Sequence, residues 1–233
     1  MQRARNSDSK SLGVRPLLLN ESHRGFGEAL RQLRIMIVEK IAGIRESVDL
    51  MRAGSILRRY SVMNAFDGAL TVLGVVFGGY ITSLSDPLST LLVILSTGVA
   101  MSVSGFSGAY MTESAERQRE LDELEQAMLT DLGNSVYRKA STRVSILTAI
   151  VDGLAPFTPV VVAASPFALS AAGLFSIQQS YVASIGVLLS ILFLLGVYLG
   201  RISNKRLVPM GIKMVVSGIV VAVISLLLDT FHQ

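Results

Sequence analysis

The sequence predicts an all-α membrane protein with five transmembrane helices, and three observations predict it. Only 16% of the 233 residues are charged while 51% are apolar, against about 25% charged in an ordinary soluble domain. The mean hydropathy is +0.55. From Tyr60 onward ionisable residues become sparse, leaving stretches as long as the roughly 20 apolar residues that one bilayer crossing needs. That balance does not fit a soluble enzyme. The absence of cysteine also removes disulfides, thiolate metal sites and cysteine nucleophiles.

Residues 1–22 are polar and basic, lack the apolar core of a cleavable signal, and read as a disordered tail. Residues 23–58 read as an amphipathic helix. Phe26, Leu30, Leu33, Ile37, Ile41, Ile44, Val48 and Met51 recur at steps of four and three and draw one apolar stripe. Such a stripe is expected to lie on the inner membrane surface, on another copy, or on the cytoplasmic part of the same chain. Residues 60–233 form the transmembrane domain, with spans at 61–83, 88–111, 144–167, 180–200 and 208–230. An acidic helical segment at 112–142 separates the second span from the third.

Lysine and arginine alternate between the connections. Residues 1–60 hold twelve, 83–89 none, 112–143 five, 165–180 none and 201–206 three. The positive-inside rule therefore places the N-terminus in the cytoplasm and the C-terminus outside. The net charge of +4 becomes a statement about orientation, and no nucleic-acid partner is expected.

Two acids fall inside spans. An acid at the centre of a spanning helix costs about 2.5–3.5 kcal/mol on insertion scales, so each is a functional candidate. Asp67 is followed by Gly68 and Asp152 by Gly153, both at similar depth from the cytoplasmic side. Gly68 and Gly108 are expected to allow close helix contact, and Pro156 and Pro159 to break or bend the third span just beyond Asp152. Gly108-Ala109-Tyr110-Met111 is echoed by Gly196-Val197-Tyr198-Leu199, which raises a parallel duplication of a two-helix unit, with chance similarity as the alternative.

Seven of the 17 acidic residues lie between Glu113 and Asp131. Glu113, Glu116, Glu120 and Glu123 share one helical face if the second span continues into the cytoplasm. A bridging cation would explain their spacing; pairing with Arg117 and Arg119 is the alternative. Carboxylates, with thioethers at Met101, Met111 and Met128, suit Mn(II), Fe(II), Mg(II) or Ca(II) better than a structural zinc. The two histidines, His23 and His232, stand at opposite ends of the chain.

The run Asp67-Gly68-Ala69-Leu70-Thr71-Val72-Leu73-Gly74-Val75-Val76 resembles the first-span motif of the vacuolar iron transporter family, which has bacterial and archaeal members. The run Gly108-Ala109-Tyr110-Met111-Thr112-Glu113-Ser114-Ala115-Glu116 resembles its second-span ending. The resemblance implies a homodimeric, proton-coupled exporter of divalent iron or manganese in the plasma membrane of a prokaryote. It implies no enzymatic activity and no resident cofactor, the metal being cargo. It puts Asp67 on the ion path and gives Glu113, Glu116, Glu120 and Glu123 the gathering of metal. Gly105 stands where the family commonly has Met, and Ala109 where it commonly has Asn or Glu, so the thioether ligand is sought at Met101 or Met111.

A carboxyl withdrawn from water favours its neutral form and a bound cation favours the ionised form. Competition between metal and proton at Asp67 is then the minimal chemistry of an antiporter. Asp152 is either a second proton site or a helix-pairing hydrogen bond. The rival readings are a non-transporting membrane adaptor and a membrane-embedded, metal-dependent lipid enzyme. The Ala-Arg that the latter would need after Asp-Gly is absent here.

Overall fold

The computed structural model describes residues 15–230, with side chains from residue 31. The described residues form six helices and no strand: α1 Arg15–Leu50, α2 Gly54–Ile81, α3 Pro87–Met128, α4 Val136–Ala171, α5 Ile177–Ile202 and α6 Leu207–Thr230. The last five are each long and apolar enough to cross a membrane. They follow the expected spans in order, and α3 and α4 overrun them at the acidic connection. Within residues 112–142, α3 runs on to Met128 and α4 begins at Val136.

The chain divides into two compact units, the first ending at Ser47 and the second beginning at Val48. In the first, α1 begins at Arg15, inside the expected tail, of which residues 1–14 lie outside the described residues. Leu33, Ile37, Ile41 and Ile44 of the expected stripe are exposed, and so are Ile35, Met36 and Val38 beside it. The side chains of Phe26 and Leu30 lie outside the described residues.

The helix expected over 23–58 stops at Leu50. Arg52 takes a left-handed conformation, φ 48°, with its N–H on Asp49 O and the Ala53 N–H on Val48 O. This double closure satisfies the carbonyls at a helix end, so Gly54 already begins α2. Ser83, Gly173 and Asn204 end α2, α4 and α5 in the same way. Starts are capped by side chains. Asp86 accepts from the Ser89 N–H at 2.9 Å and from its hydroxyl at 2.5 Å, and these bonds hold its carboxyl below the ordinary range. Ser176 and Gln179 form a reciprocal box at the head of α5.

The core of the second unit gathers Ala69, Val72, Leu73 and Val76 of α2, Ile94 of α3, Val160, Ala163 and Phe167 of α4, and Tyr181, Leu188 and Leu192 of α5. Helix α4 is its central element. Pro156, Pro159 and Pro166 lie inside it, yet it is one continuous helix, and of the expected break or bend the break does not occur. One hydroxyl replaces a missing donor, that of Pro166 to Val162 O, and two from α5 tie that helix to the same stretch. Ser165 donates to Val162 O at 2.7 Å, and from α5 Ser180 donates to Pro166 O and Ser184 to Ala163 O, each at 2.9 Å.

Close approach is made by glycines. A Cβ on Gly68 would lie 2.4 Å from Pro156 O, and one on Gly153 would lie 2.9 Å from Ser102 O. Helix α4 is thus pressed against α2 on one side and α3 on the other. Gly108 does not play the packing part expected of it, because a Cβ there would meet nothing within 4 Å. Its echo Gly196 is pressed against Met210 and Gly211, so the two copies of the repeated tetrapeptide have different surroundings.

Candidate functional site

A polar cavity of about 230 Å³ opens between α2, α3 and α4, bordered by Tyr60, Ser104, Gly105, Gly108, Ala109, Thr112, Glu113, Thr148 and Asp152. The volume far exceeds the roughly 15 Å³ that one water requires. Its origin is a run of small residues. Gly105, Gly108 and Ala109 fall at steps of three and four on one face of α3, and the missing side chains leave the space that Thr112 and Glu113 close from one end.

Asp152 is held here by α2. Asn64 donates through Nδ2 to Asp152 Oδ1, and the same nitrogen donates to Tyr60 O at 3.0 Å, which fixes the amide. Pro156, lacking an N–H, leaves the Asp152 carbonyl without its usual helical donor. That oxygen faces the bare Cα of Gly105, where a Cβ would lie 2.9 Å away. One turn earlier on α4, Thr148 is fully buried, and its Oγ1 is the one buried side-chain polar atom among the described residues without a hydrogen-bond partner. An orphaned buried hydroxyl costs about 1–3 kcal/mol, and this one stands in the wall of the cavity, covered from water.

Asp67 sits elsewhere. It does not border the cavity, its side chain is exposed at the surface of the second unit, and no hydrogen bond or ion pair reaches it among the described residues. Met63 and Thr71, one turn before and after it, are exposed on the same face.

The glutamate stripe is on one helix as expected, but its charges are already engaged. Arg117, buried in α3, bonds Glu113 at 2.8 Å and Glu120 at 2.9 Å. Arg119 bonds Glu123 at 3.0 Å, while Glu116 is exposed. The cation that bridges the stripe is thus a guanidinium. No three of the described Asp, Glu and His side chains gather into a group that would hold a metal ion. Met101 is half-buried and Met111 is 70% exposed, and neither borders the cavity.

Sequence reasoning missed Asn64, Thr148 and Tyr60. Asn64 had a signal, since an amide inside a spanning helix is itself costly without a partner. Gly108 is readable as a packing residue and Gly105 and Ala109 as small departures from the resembled motif, and only the third dimension shows them to border a hollow.

The fold and the cavity define a helical membrane-type protein with buried polar groups between its spans. No family model matches the chain. It is 30% identical over 174 residues to the uncharacterized protein MJ0645 of Methanocaldococcus jannaschii, an alignment covering 73% of this chain and 87% of that protein. The chain belongs to the same family as this archaeal protein.

Proposed function

We propose that the protein is a proton-coupled exporter of divalent metal ions, Fe(II) or Mn(II), working as a homodimer in the plasma membrane of a prokaryote with its N-terminus in the cytoplasm. The observation that carries this reading is the exposed, unpartnered Asp67 in the middle of an apolar helix. A carboxyl facing lipid at that depth costs several kcal/mol. A second copy facing Asp67 and Thr71 would remove the group from lipid and pair it with its equivalent around a polar path. The resemblance of residues 67–76 to the vacuolar iron transporter motif supports the same assignment.

The cavity is read as the vestibule on the cytoplasmic side. Asp152 and Glu113 supply carboxylates, and Thr148, Tyr60, Ser104 and Thr112 supply hydroxyls, an all-oxygen set that suits a hard divalent ion keeping part of its water. Gly105 and Ala109 are small where the resembled family carries larger residues, and they are what opens this space. Arg117 competes for Glu113 and Glu120, so metal capture on the stripe proceeds by exchange of a guanidinium for the ion, with Glu116 the carboxylate most available at first contact. Asp152, bonded to Asn64, pairs α2 with α4 and holds or passes a proton at Oδ2.

The test is transport in proteoliposomes carrying a proton indicator, with Fe(II), Mn(II), Zn(II) and Ca(II) offered in turn. Metal entry coupled to counterflow of protons, selective for Fe(II) or Mn(II), is expected. No flux with any of the four ions refutes the reading.

A further inference from the structure

A second cavity lies on the opposite side of the start of α2, against the α5–α6 turn. Its volume is about 430 Å³, and its floor is formed by Val62, Met63, Phe66, Leu199, Ile202 and Met214. Its mouth is cationic: Arg58 and Arg59 border it. Neither has an ion pair among the described residues, and Arg59 lies 5.5 Å above the Tyr60 ring. The adjoining turn adds Arg201, Lys205 and Arg206, and Lys213 follows on α6. No acidic residue occurs over 53–66 or 187–228. Asp67 is eight residues beyond Arg59, about 12 Å further along the helix, and does not border the cavity.

We propose that this groove is a binding site for an anionic phospholipid, with the phosphate on Arg58 and Arg59 and an acyl chain along Met63, Phe66 and Leu199. Charge and depth both match such a lipid. The arginines lie in the first turns of a spanning helix, at the membrane interface, and the apolar floor begins one turn further in, which matches a headgroup followed by its tail. Arginine presents a planar fork suited to phosphate, and basic pockets between spanning helices are a known physical solution for anionic headgroups. A purely apolar occupant, such as a helix of a second copy, would leave the two guanidinium groups without counter-charge. This inference requires only that the helices span a bilayer, and it stands or falls apart from metal transport.

The experiment is native mass spectrometry of the full chain released from mixed micelles of phosphatidylglycerol and phosphatidylcholine in equal amounts. At about fivefold per arginine, the wild type is expected to retain phosphatidylglycerol over phosphatidylcholine by about tenfold or more. Arg58→Gln with Arg59→Gln is expected to bring the ratio close to one. The pair Arg138→Gln and Lys139→Gln, which removes the same charge at the head of α4, is expected to keep it. Leu199→Trp, which fills the groove from α5 without changing charge, is expected to lower retention and decides the matter if the arginine pair does not fold. Equal retention of the two lipids by the wild type overturns the proposal. So does a preference that survives both groove variants, or one that falls equally in the Arg138 and Lys139 pair.

Discussion

Asp67 and Asp152 have nearly the same local sequence, an acid before a glycine in an apolar helix, and the same distance from the start of the apolar run. The structure gives them opposite surroundings. Asp152 is bonded by Asn64 of α2 and borders a polar cavity, whereas Asp67 is exposed and has no hydrogen bond or ion pair among the described residues. The difference comes from which neighbour each glycine touches. Gly68 is pressed on Pro156 of α4, and Asp67, about 100° around the helix, is exposed. Gly153 is pressed on α3 instead, and the same rotation carries Asp152 onto α2, because α4 lies between two helices. One acid-glycine motif thus stands in two different surroundings, set by the neighbour on which its glycine packs.

The sharpest way to break this comparison is to neutralise each acid in turn. Asp67→Asn is expected to abolish metal-driven proton flux in proteoliposomes while the protein still folds and dimerises. Asp152→Asn keeps an oxygen for Asn64 and is expected to retain a measurable fraction of the flux. Equal loss in both would mean that the two sites are one functional unit.

The glycine contacts are the next test. Gly68→Ala puts a methyl against the Pro156 backbone and is expected to cost about 1–3 kcal/mol, seen as a lower melting midpoint in detergent. Gly108→Ala meets nothing and is expected to leave the midpoint unchanged. Thr148→Val tests the cavity: removal of the orphaned hydroxyl is expected to leave stability equal or raise it by about 1 kcal/mol, while Mn(II) affinity measured by calorimetry falls. A loss of stability with unchanged affinity would make Thr148 a packing residue only.

The smallest effect concerns Asp86, at the far end of the bundle from the cavity. Its hydrogen bonds from Ser89 lower its carboxyl below the ordinary value of 3.8. The stabilisation is therefore present above that value and is lost as pH falls through the lowered one. Asp86→Ala is expected to be slightly less stable than the wild type at neutral pH, and the gap to close in acid.

Much of the fold was legible because its signals are one-dimensional. Apolar length marks each span, and Asp86 with Ser89 and Ser176 with Gln179 mark helix starts. The helix end at Arg52 was not legible, since a left-handed arginine is stabilised by the turn it closes and leaves no glycine to read. The uninterrupted α4 was missed for a similar reason: Ser165, Ser180 and Ser184 support the backbone around its prolines, and two of them come from another helix. Of the site, the acids and the glutamate periodicity were readable, but their partners were not. That Arg117 lies between Glu113 and Glu120 follows from helical spacing, and arginine pairing is the alternative to a metal that the sequence already offers. That Asn64 reaches Asp152 depends on the α2–α4 crossing, set by Gly68 and Pro156 and invisible to any local pattern.

The central claim, that the Asp67 face borders a watery ion path and not lipid, can be measured directly because the chain has no cysteine. One cysteine is placed at Thr71, on the Asp67 face, and in a second protein at Leu154, which is 59% exposed two residues from Asp152. Each is exposed in vesicles to a small charged thiol reagent that does not cross lipid. The account predicts that Thr71→Cys reacts and that Mn(II) slows it, while Leu154→Cys, facing acyl chains, stays unlabelled. A Thr71→Cys that is as inert as Leu154→Cys, or that reacts without any effect of Mn(II), would contradict it.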